Sequence, residues 1–263
     1  MADTKIYMVR NIISSLLDRD KRIIIIRKMI LRFLDRKGSI TKKQNLRWLQ
    51  DNAIDDKSFC TQLDPDLWER TIQETKIVKD ESKKIIKDIK YELGGGGVID
   101  LLYFITLYIK PKIIVETGVA AGFSSSTFLH ALNKLDSGHL YSSDFPYFRL
   151  ENPEQYIGIV VSNDIKNRWS LFIDGDEKNL KKIYDEVDSI NLFHYDSDKS
   201  YKGRQRAFKT LKNKLNPKAW LIFDDIQDNS HFYDLANTTQ QYSWKIIYHE
   251  NKWVGILIPK KYS

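Results

Sequence analysis

IIVETGVAAGFS, residues 113–124, combines a short aliphatic run with a tight turn of small residues. The pattern predicts a strand over Ile113–Thr117, a turn at Gly118 and a helix that begins near Ser124. A turn of this kind, at the carboxyl end of a strand, lies where open α/β sheets bind their ligands. The stretch therefore predicts both the class of fold and the position of a binding site.

Short aliphatic runs alternate with amphipathic helical segments through the rest of the chain, which is typical of βαβ units and a mostly parallel sheet. The last two runs are separated only by residues 250–252, so they are expected to form a hairpin that places one antiparallel strand in the sheet. The fold class predicted is a Rossmann-like α/β sheet. Its further strands are expected at Ser170–Ile173, His139–Ser143, Asn191–Tyr195, Trp220–Phe223, Trp244–His249 and Trp253–Ile258.

The N-terminal third has a different, helical pattern. Apolar residues recur every three or four positions over residues 12–34, and Asp64 followed by Pro65 is typical of a helix start. The four glycines Gly94–Gly97 indicate a boundary, because glycine is costly within a helix or strand. We therefore expect a helical extension over residues 1–93, serving as a lid or in oligomerisation, and a ligand-binding domain over 94–263.

Composition restricts the classes of protein that the chain can belong to. The net charge is +7, and residues 1–92 contain 21 Lys/Arg against 15 Asp/Glu, so the basic excess lies in the extension. No apolar run approaches the roughly 20 residues of a membrane span. One cysteine, Cys60, allows neither an internal disulfide nor a cysteine-based metal cage. We expect a cytoplasmic location and no membrane span.

The turn after the first strand favours S-adenosylmethionine over a dinucleotide. The spacing is not Gly-x-Gly-x-x-Gly, so the pyrophosphate cradle is missing. Glu116, just before Gly118, would repel a phosphate but attract the ammonium and sulfonium groups of S-adenosylmethionine. Gly118 would let the backbone approach the ligand, and Thr117 and Ser124 lie on either side of the turn.

Two further acidic positions follow the next strands. Asp144 comes 26 residues after Gly118, close to where an acid binds ribose hydroxyls in nucleoside-binding sheets. Gly175 and Asp176 follow the third strand and are candidates for contacts with the adenine edge. Together these positions predict a nucleoside-binding edge of the sheet.

Carboxylates also follow the fourth and fifth strands. Asp196 and Asp198 come after one, and Asp224 and Asp225 after the other. Because these strands are expected to be neighbours, several carboxylates should meet beside the cofactor, which is costly without a cation. Mg²⁺ takes such oxygen ligands and could hold a substrate diol. Asp198 could then accept the proton of the attacking hydroxyl.

These motifs together resemble class I methyltransferases, and more narrowly the macrocin and aminocoumarin sugar O-methyltransferases. The similarity extends over about residues 95–260. Ser197 and Lys199 stand where that family usually has the glycine and histidine of an Ile-Asp-Gly-Asp-His-Ser-Tyr motif. The change leaves the carboxylates in place, and the resemblance does not carry over the substrate contacts at these two positions. The motifs that carry the resemblance are Val115–Val119, Asp144, Asp176, Tyr195–Tyr201 and Phe223–Asp225.

The resemblance implies specific roles for the acidic residues. It implies an Mg²⁺ ion on Asp196, Asp224 and Asp225, and a catalytic base at Asp196 or Asp198. It also implies cofactor contacts from Glu116, Gly118, Ser124, Asp144 and Asp176.

The leading hypothesis is an S-adenosylmethionine-dependent, Mg²⁺-assisted O-methyltransferase acting on a sugar, a glycan or a polyhydroxylated secondary metabolite. The expected partners are this acceptor and a second copy of the chain, bound through the N-terminal helices. A nucleic-acid methyltransferase that uses the basic helices is an alternative, although no nucleic-acid partner is expected because the fourth strand lacks an Asn/Asp-Pro-Pro-Tyr-type motif. A non-catalytic assembly module and a nicotinamide-dependent oxidoreductase are the other readings.

Overall fold

The structure is a computed structural model that describes residues 38–147 and 150–260, together with isolated positions between residues 11 and 30. The helices predicted over residues 12–34 therefore lie largely outside the described residues. Eight helices of regular α type within 38–260 are α1 Lys42–Asn52, α2 Asp56–Leu63, α3 Pro65–Lys87, α4 Ile99–Ile109, α5 Phe123–Lys134, α6 Asp176–Glu186, α7 Tyr201–Leu211 and α8 His231–Thr238.

Eight strands form one mixed sheet in the order β1-β7-β8-β6-β5-β2-β3-β4. Neighbouring strands are parallel except that β8 runs antiparallel to β6 and β7. The predicted fold class and terminal hairpin are therefore confirmed. The strands are β1 Ala53–Ile54, β2 Ile113–Thr117, β3 His139–Ser143, β4 Trp169–Phe172, β5 Ile190–Tyr195, β6 Leu215–Phe223, β7 Tyr242–His249 and β8 Lys252–Pro259.

The register brings the carboxyl ends of four strands into line. Thr117 pairs with Ser143 on one side and with Tyr195 on the other, and Tyr195 pairs with Phe223. The residues that follow β2, β3, β5 and β6 therefore meet along one edge of the sheet. This is the edge at which open α/β sheets bind their ligands.

Helices cover both faces of the sheet and enclose two hydrophobic cores. Apolar residues of α2, α3, α4 and α5 pack on one face, and those of α1, α6, α7 and α8 pack on the other. Helix α4 is apolar nearly all round, because it lies between α3, α5 and the sheet. Layers of this kind bury the hydrophobic face of each element.

The described part of the N-terminal third is built into these layers. Asp64 caps α3 as predicted, accepting a hydrogen bond from Leu67 N at 2.8 Å, and Trp68 packs in the core beside α4. Strand β1 extends the sheet by pairing with β7. The domain boundary at residue 94 and the role of the extension stay predictions.

Helix α3 ends at Lys87, and residues 92–97 carry no regular structure. The glycines Gly94–Gly97 thus lie in a linker between α3 and α4, in agreement with their low propensity for helix and strand. Among the described helices, none is long and apolar enough to cross a membrane.

Candidate active site

A cavity of about 320 Å³ opens at the carboxyl edge of the sheet. This volume lies in the range of small-molecule sites, roughly 300–1,000 Å³. Its walls are the linker before α4, the turn after β2 and the loops after β5 and β6. The cavity brings together five of the predicted site residues, which are Gly118, Ser124, Asp144, Asp196 and Asp224.

Gly118 fixes the turn after β2 against the loop after β5. Its φ is +84°, in the left-handed region, and a Cβ added there would lie 2.2 Å from the carbonyl oxygen of Asp196. Only glycine fits such a close approach without strain. Gly118 therefore allows the turn after β2 to lie directly beside Asp196, the first residue of the loop after β5.

Asp144 braces the same turn from the end of β3. Its Oδ2 accepts hydrogen bonds from the backbone N–H groups of Val119 at 3.0 Å and Ala120 at 2.7 Å. Ala120 itself has a φ of +52°, which such bonds help to hold. Asp144 thus shapes the turn and lines the cavity, while its contact with a ribose stays a prediction.

Glu116 lies beneath the turn rather than in the cavity wall. It is fully buried and accepts hydrogen bonds from the hydroxyls of Ser124 at 2.5 Å, Ser125 at 2.5 Å and Ser142 at 2.8 Å. Thr117 is also fully buried. Neither side chain lines the cavity, so the structure does not bring them to its surface, and their direct contact with a cofactor stays a prediction.

Gly175 and Asp176 border a second cavity, of about 400 Å³, between α6 and α7. Asp176 accepts hydrogen bonds from Ser143 Oγ at 2.7 Å and from Ser197 Oγ. It therefore ties the end of β3 to the loop after β5. Asp198 also borders this second cavity, and its Oδ1 accepts the N–H of Ser200 at 3.0 Å.

The three remaining predicted acids do converge. Asp196, Asp224 and Asp225 each offer a carboxylate oxygen, and these oxygens lie within 4.8 Å of one another. We call these three residues the aspartate cluster. Their backbones extend the strand ladder, since the Asp196 N–H donates to Thr117 O at 2.9 Å and the Asp224 N–H to Tyr195 O at 3.0 Å.

Two lysines neutralise much of the charge of the aspartate cluster. Lys199 Nζ contacts Asp196 Oδ1 at 2.5 Å and also contacts Asp225 Oδ2. Lys252 Nζ donates to Asp224 Oδ2 at 3.0 Å. Both lysines line the cavity. The cluster thus has an ammonium partner for each of its carboxylates.

A third cation lies behind the cluster. Arg204 of α7 is 1% exposed, and its Nη2 donates to the backbone carbonyl of Asp225 at 3.0 Å. Its guanidinium lies over the ring of Tyr195, 5.5 Å from the centroid. This cation fixes the backbone of Asp225, which has a φ of +51°.

The carboxylates respond unequally to these surroundings. Burial and repulsion by Asp224 raise the pKa of Asp196 to about 6, although Lys199 opposes the shift. For Asp225, burial acts to raise the pKa, but the ammonium of Lys199 outweighs it and the net pKa is lowered. The same two carboxylates overcome the effect of burial on Lys199 and raise the pKa of its ammonium.

The arrangement does not fit the predicted Mg²⁺ ion as it stands. Three carboxylates are suitable oxygen ligands, but the ammonium of Lys199 lies against Asp196 and Asp225 where an ion would have to bind. Asp224 Oδ1 is buried and has no hydrogen-bond partner among the described residues. An ion held by all three carboxylates would have to compete with Lys199 for Asp196 and Asp225.

Sequence reasoning missed part of the cavity wall. Leu93, Gly94, Gly95 and Gly97 of the linker line it, and Tyr147 donates a hydrogen bond from its hydroxyl to Leu93 O at 2.8 Å. The glycine run signalled a boundary, but its position over the cavity depends on how α3 and α4 pack. Lys252 was missed as well, although its place at the start of β8 puts it beside the end of β6.

Comparisons with known proteins agree with the fold. Residues 115–226 match a family model described as a methyltransferase domain. A search of curated proteins finds no match. Residues 115–226 span the strands from β2 to β6 and therefore include both the glycine turn and the aspartate cluster.

Solved methyltransferases share the fold at low sequence identity. The O-methyltransferase TomG from Streptomyces achromogenes, involved in tomaymycin synthesis and solved with S-adenosylmethionine, is 12% identical with a TM-score of 0.55; 69% of this chain and 89% of TomG are covered. The Podospora anserina methyltransferase PaMTH1, bound to S-adenosylhomocysteine, is 12% identical with a TM-score of 0.54; 85% of this chain and 100% of PaMTH1 are covered. A Bacillus cereus O-methyltransferase, also bound to S-adenosylhomocysteine, is 14% identical with a TM-score of 0.52, covering 73% and 90%. The chain thus has the fold of class I methyltransferases, with a methyltransferase-domain match over residues 115–226.

Proposed function

We propose that the chain is an S-adenosylmethionine-dependent O-methyltransferase that methylates a hydroxyl group of a sugar, a glycan or a polyhydroxylated small molecule. One observation carries the proposal. A single cavity has the turn at Gly118 and Asp144 on one wall and the carboxylates of Asp196 and Asp224 on another. A methyl donor and a proton acceptor can therefore be held side by side.

The turn wall is the half suited to the cofactor. Asp144 and the buried Glu116 give this part of the sheet edge negative charge, which favours the sulfonium and ammonium groups of S-adenosylmethionine. Left-handed backbone at Gly118 and Ala120 lets the chain approach a ligand closely. The solved neighbours bound to S-adenosylmethionine or S-adenosylhomocysteine support this assignment by fold.

The aspartate cluster is the half suited to the acceptor. In the proposed reaction the acceptor oxygen forms a bond to the methyl carbon as the carbon–sulfur bond breaks, and the sulfonium becomes the neutral thioether of S-adenosylhomocysteine. The hydroxyl proton passes to a carboxylate. Asp196 is the better placed base, because it lines the cavity, whereas Asp198 faces the second cavity.

The same wall supports the proposed class of acceptor. It presents several carboxylate and ammonium groups, and Asp224 Oδ1 is buried without a donor among the described residues. Leaving such an oxygen unpaired costs about 1–3 kcal/mol, so an acceptor with more than one hydroxyl is favoured. Mg²⁺ assistance, a cytoplasmic location and a homo-oligomer formed through the N-terminal helices stay predictions, and no step above depends on them.

The first test is calorimetric titration of the purified protein with S-adenosylhomocysteine. We expect a dissociation constant in the micromolar range, about −8 kcal/mol. Titration with NAD under the same conditions is the control and should give no heat of binding. Binding of NAD, or no binding of S-adenosylhomocysteine, would contradict the proposal.

The second test identifies the acceptor. A panel of sugars and polyhydroxylated compounds is incubated with S-adenosylmethionine that carries a labelled methyl group, and the products are examined by mass spectrometry. A gain of one methyl group on an oxygen supports the proposal. Labelled amine products, with no labelled ether, would show that the chemistry is N-methylation instead.

A further inference from the structure

The carboxylates of the aspartate cluster have lysine ammonium groups as partners. Lys199 reaches two of the three carboxylates and Lys252 reaches the third. Neither lysine side chain is more than 31% exposed. Both ammonium groups are therefore committed to the cluster rather than to solvent.

The charges nearly balance within the cluster. Three carboxylates contribute −3 and two ammonium groups contribute +2, which leaves −1 before any ligand binds. The acids without the lysines would repel one another strongly at these distances, because like charges at about 4 Å in a protein interior interact by several kcal/mol. The two lysines relieve the repulsion that a divalent ion would otherwise have to relieve.

We propose that Lys199 and Lys252 serve as built-in cations of the active site, in place of a bound divalent ion. The inference rests on the proposed function, because it assigns the aspartate cluster to the acceptor side of a methyl-transfer site. It differs from the expectation of an Mg²⁺ site drawn from the sequence. It gives Lys199, which stands at the position of the histidine in the family motif, a role in positioning the carboxylates and in stabilising charge.

Lys199 is the more important of the two. Its bridge between Asp196 and Asp225 crosses from the loop after β5 to the loop after β6, so it holds two loops in one arrangement. An ammonium in this position can also stabilise negative charge that develops on the acceptor oxygen as its proton leaves for Asp196. Lys252 orients Asp224 from β8, the antiparallel neighbour of β6.

The decisive measurement is divalent-ion binding, which needs no knowledge of the acceptor. Protein saturated with S-adenosylhomocysteine is titrated with MnCl₂, followed by electron paramagnetic resonance of the free ion, and with MgCl₂ by calorimetry. We expect the wild-type protein to bind either ion no more tightly than about 1 mM. Micromolar binding to the wild-type protein would overturn the inference.

Removing the lysines should create the metal site. Lys199→Met combined with Lys252→Met leaves three carboxylates without a cation, and we expect Mn²⁺ to bind this variant at least about tenfold more tightly than the wild-type protein, a change of about 1.4 kcal/mol. Lys79→Met is the matched control. It removes a partly buried lysine from Asp100, at 2.7 Å, outside the cavity and should leave Mn²⁺ binding unchanged.

Charge compensation supplies the variant that separates this effect from misfolding. Lys199→Met with Asp225→Asn removes one charge of each sign, so it should fold and should bind Mn²⁺ no better than the wild-type protein. Equal Mn²⁺ affinity of the double-lysine variant and the wild-type protein would overturn the inference. If the double-lysine variant does not fold, Lys199→Gln replaces it, with the same tenfold criterion.

Two failures can be told apart in these samples. Loss of S-adenosylhomocysteine binding in the wild-type protein would refute the proposed function itself. Retained S-adenosylhomocysteine binding together with tight Mn²⁺ binding would refute only the role of the lysines, and would restore the Mg²⁺ site expected from the sequence.

Discussion

Two groups of carboxylates lie along one edge of the sheet, and they are held in different ways. On the cofactor side, Glu116 accepts from three serine hydroxyls and Asp144 from three backbone N–H groups. On the acceptor side, Asp196, Asp224 and Asp225 are held by lysine ammonium groups. Hydroxyl and backbone N–H groups donate to the first group, and lysine ammonium groups bind the second.

The difference in partners gives the two groups of carboxylates different roles. Neutral donors satisfy a carboxylate without cancelling its charge, so the cofactor side keeps a negative potential suited to a cationic methyl donor. Ammonium partners cancel charge and can be moved by a ligand, so the acceptor side can exchange protons and contacts during a reaction. Substitutions on the cofactor side and on the acceptor side should therefore affect different measurements.

The largest effect is expected from Asp196→Asn. The amide cannot take the proton of the acceptor hydroxyl, so turnover should fall by at least about 100-fold, in the range for general bases. S-adenosylhomocysteine affinity should stay within about tenfold, or 1.4 kcal/mol, because Asp196 belongs to the acceptor side. Steady-state kinetics and calorimetry measure the two quantities.

Asp198→Asn is the control for this assignment, since Asp198 faces the second cavity. It should retain most of the turnover. The reverse result, with Asp198→Asn inactive and Asp196→Asn active, would transfer the role of base to Asp198.

On the cofactor side, Asp144→Ala should weaken S-adenosylhomocysteine binding by about 10- to 100-fold, or 1.4–2.7 kcal/mol. The alanine removes the acceptor for Val119 N and Ala120 N and so loosens the turn that faces the ligand. Mn²⁺ binding should not change, because the aspartate cluster is intact. An unchanged affinity for S-adenosylhomocysteine in calorimetry would contradict the cofactor assignment of this wall.

The topology of this edge could be predicted from the sequence, because short aliphatic runs followed by Gly or Asp define the strand ends. Strands β2 and β3 have the predicted bounds. Strand β1 was not predicted, because a strand of two residues shows no periodicity in the sequence and forms through its pairing with β7. Strand β6 begins at Leu215 rather than at the predicted Trp220, and its first part contains Pro217, a residue that is uncommon within strands.

The sequence predicts where the acidic residues of the site lie, but it does not predict which groups contact them. The acids that follow β3, β5 and β6 could be placed because parallel strands end at one edge. The partners of each carboxylate could not, because they depend on the direction of side chains in loops and across helix α5. Lys199 was visible as a departure from the family motif, but its bridge to Asp225 requires the loop after β6 to be in place.

A smaller effect, on stability, is expected from Glu116→Gln. The amide of Gln retains one acceptor oxygen but presents N–H donors to serine hydroxyls that donate to Glu116. We expect the free energy of unfolding to fall by about 1–3 kcal/mol, as for a buried hydrogen-bond mismatch. Urea denaturation measures the change. Ser142→Ala, which removes one of the three donors, should cost less, and equal stability of Glu116→Gln and wild type would refute the structural role.

A last effect, of similar size, is a dependence of stability on pH that arises from Asp196. Because the pKa of Asp196 is raised to about 6 in the folded protein from the ordinary 3.8, the folded state binds more protons than the unfolded state between these values. Stability of the wild-type protein therefore falls as pH rises through this window, by about 1–3 kcal/mol from this group. The difference in unfolding free energy between Asp196→Asn and wild type should shift by that amount in favour of the variant from pH 4 to pH 7. If urea denaturation gives the same difference between variant and wild type at pH 4 and pH 7, the pKa of Asp196 is not raised, and the crowding of carboxylates on the acceptor side is contradicted.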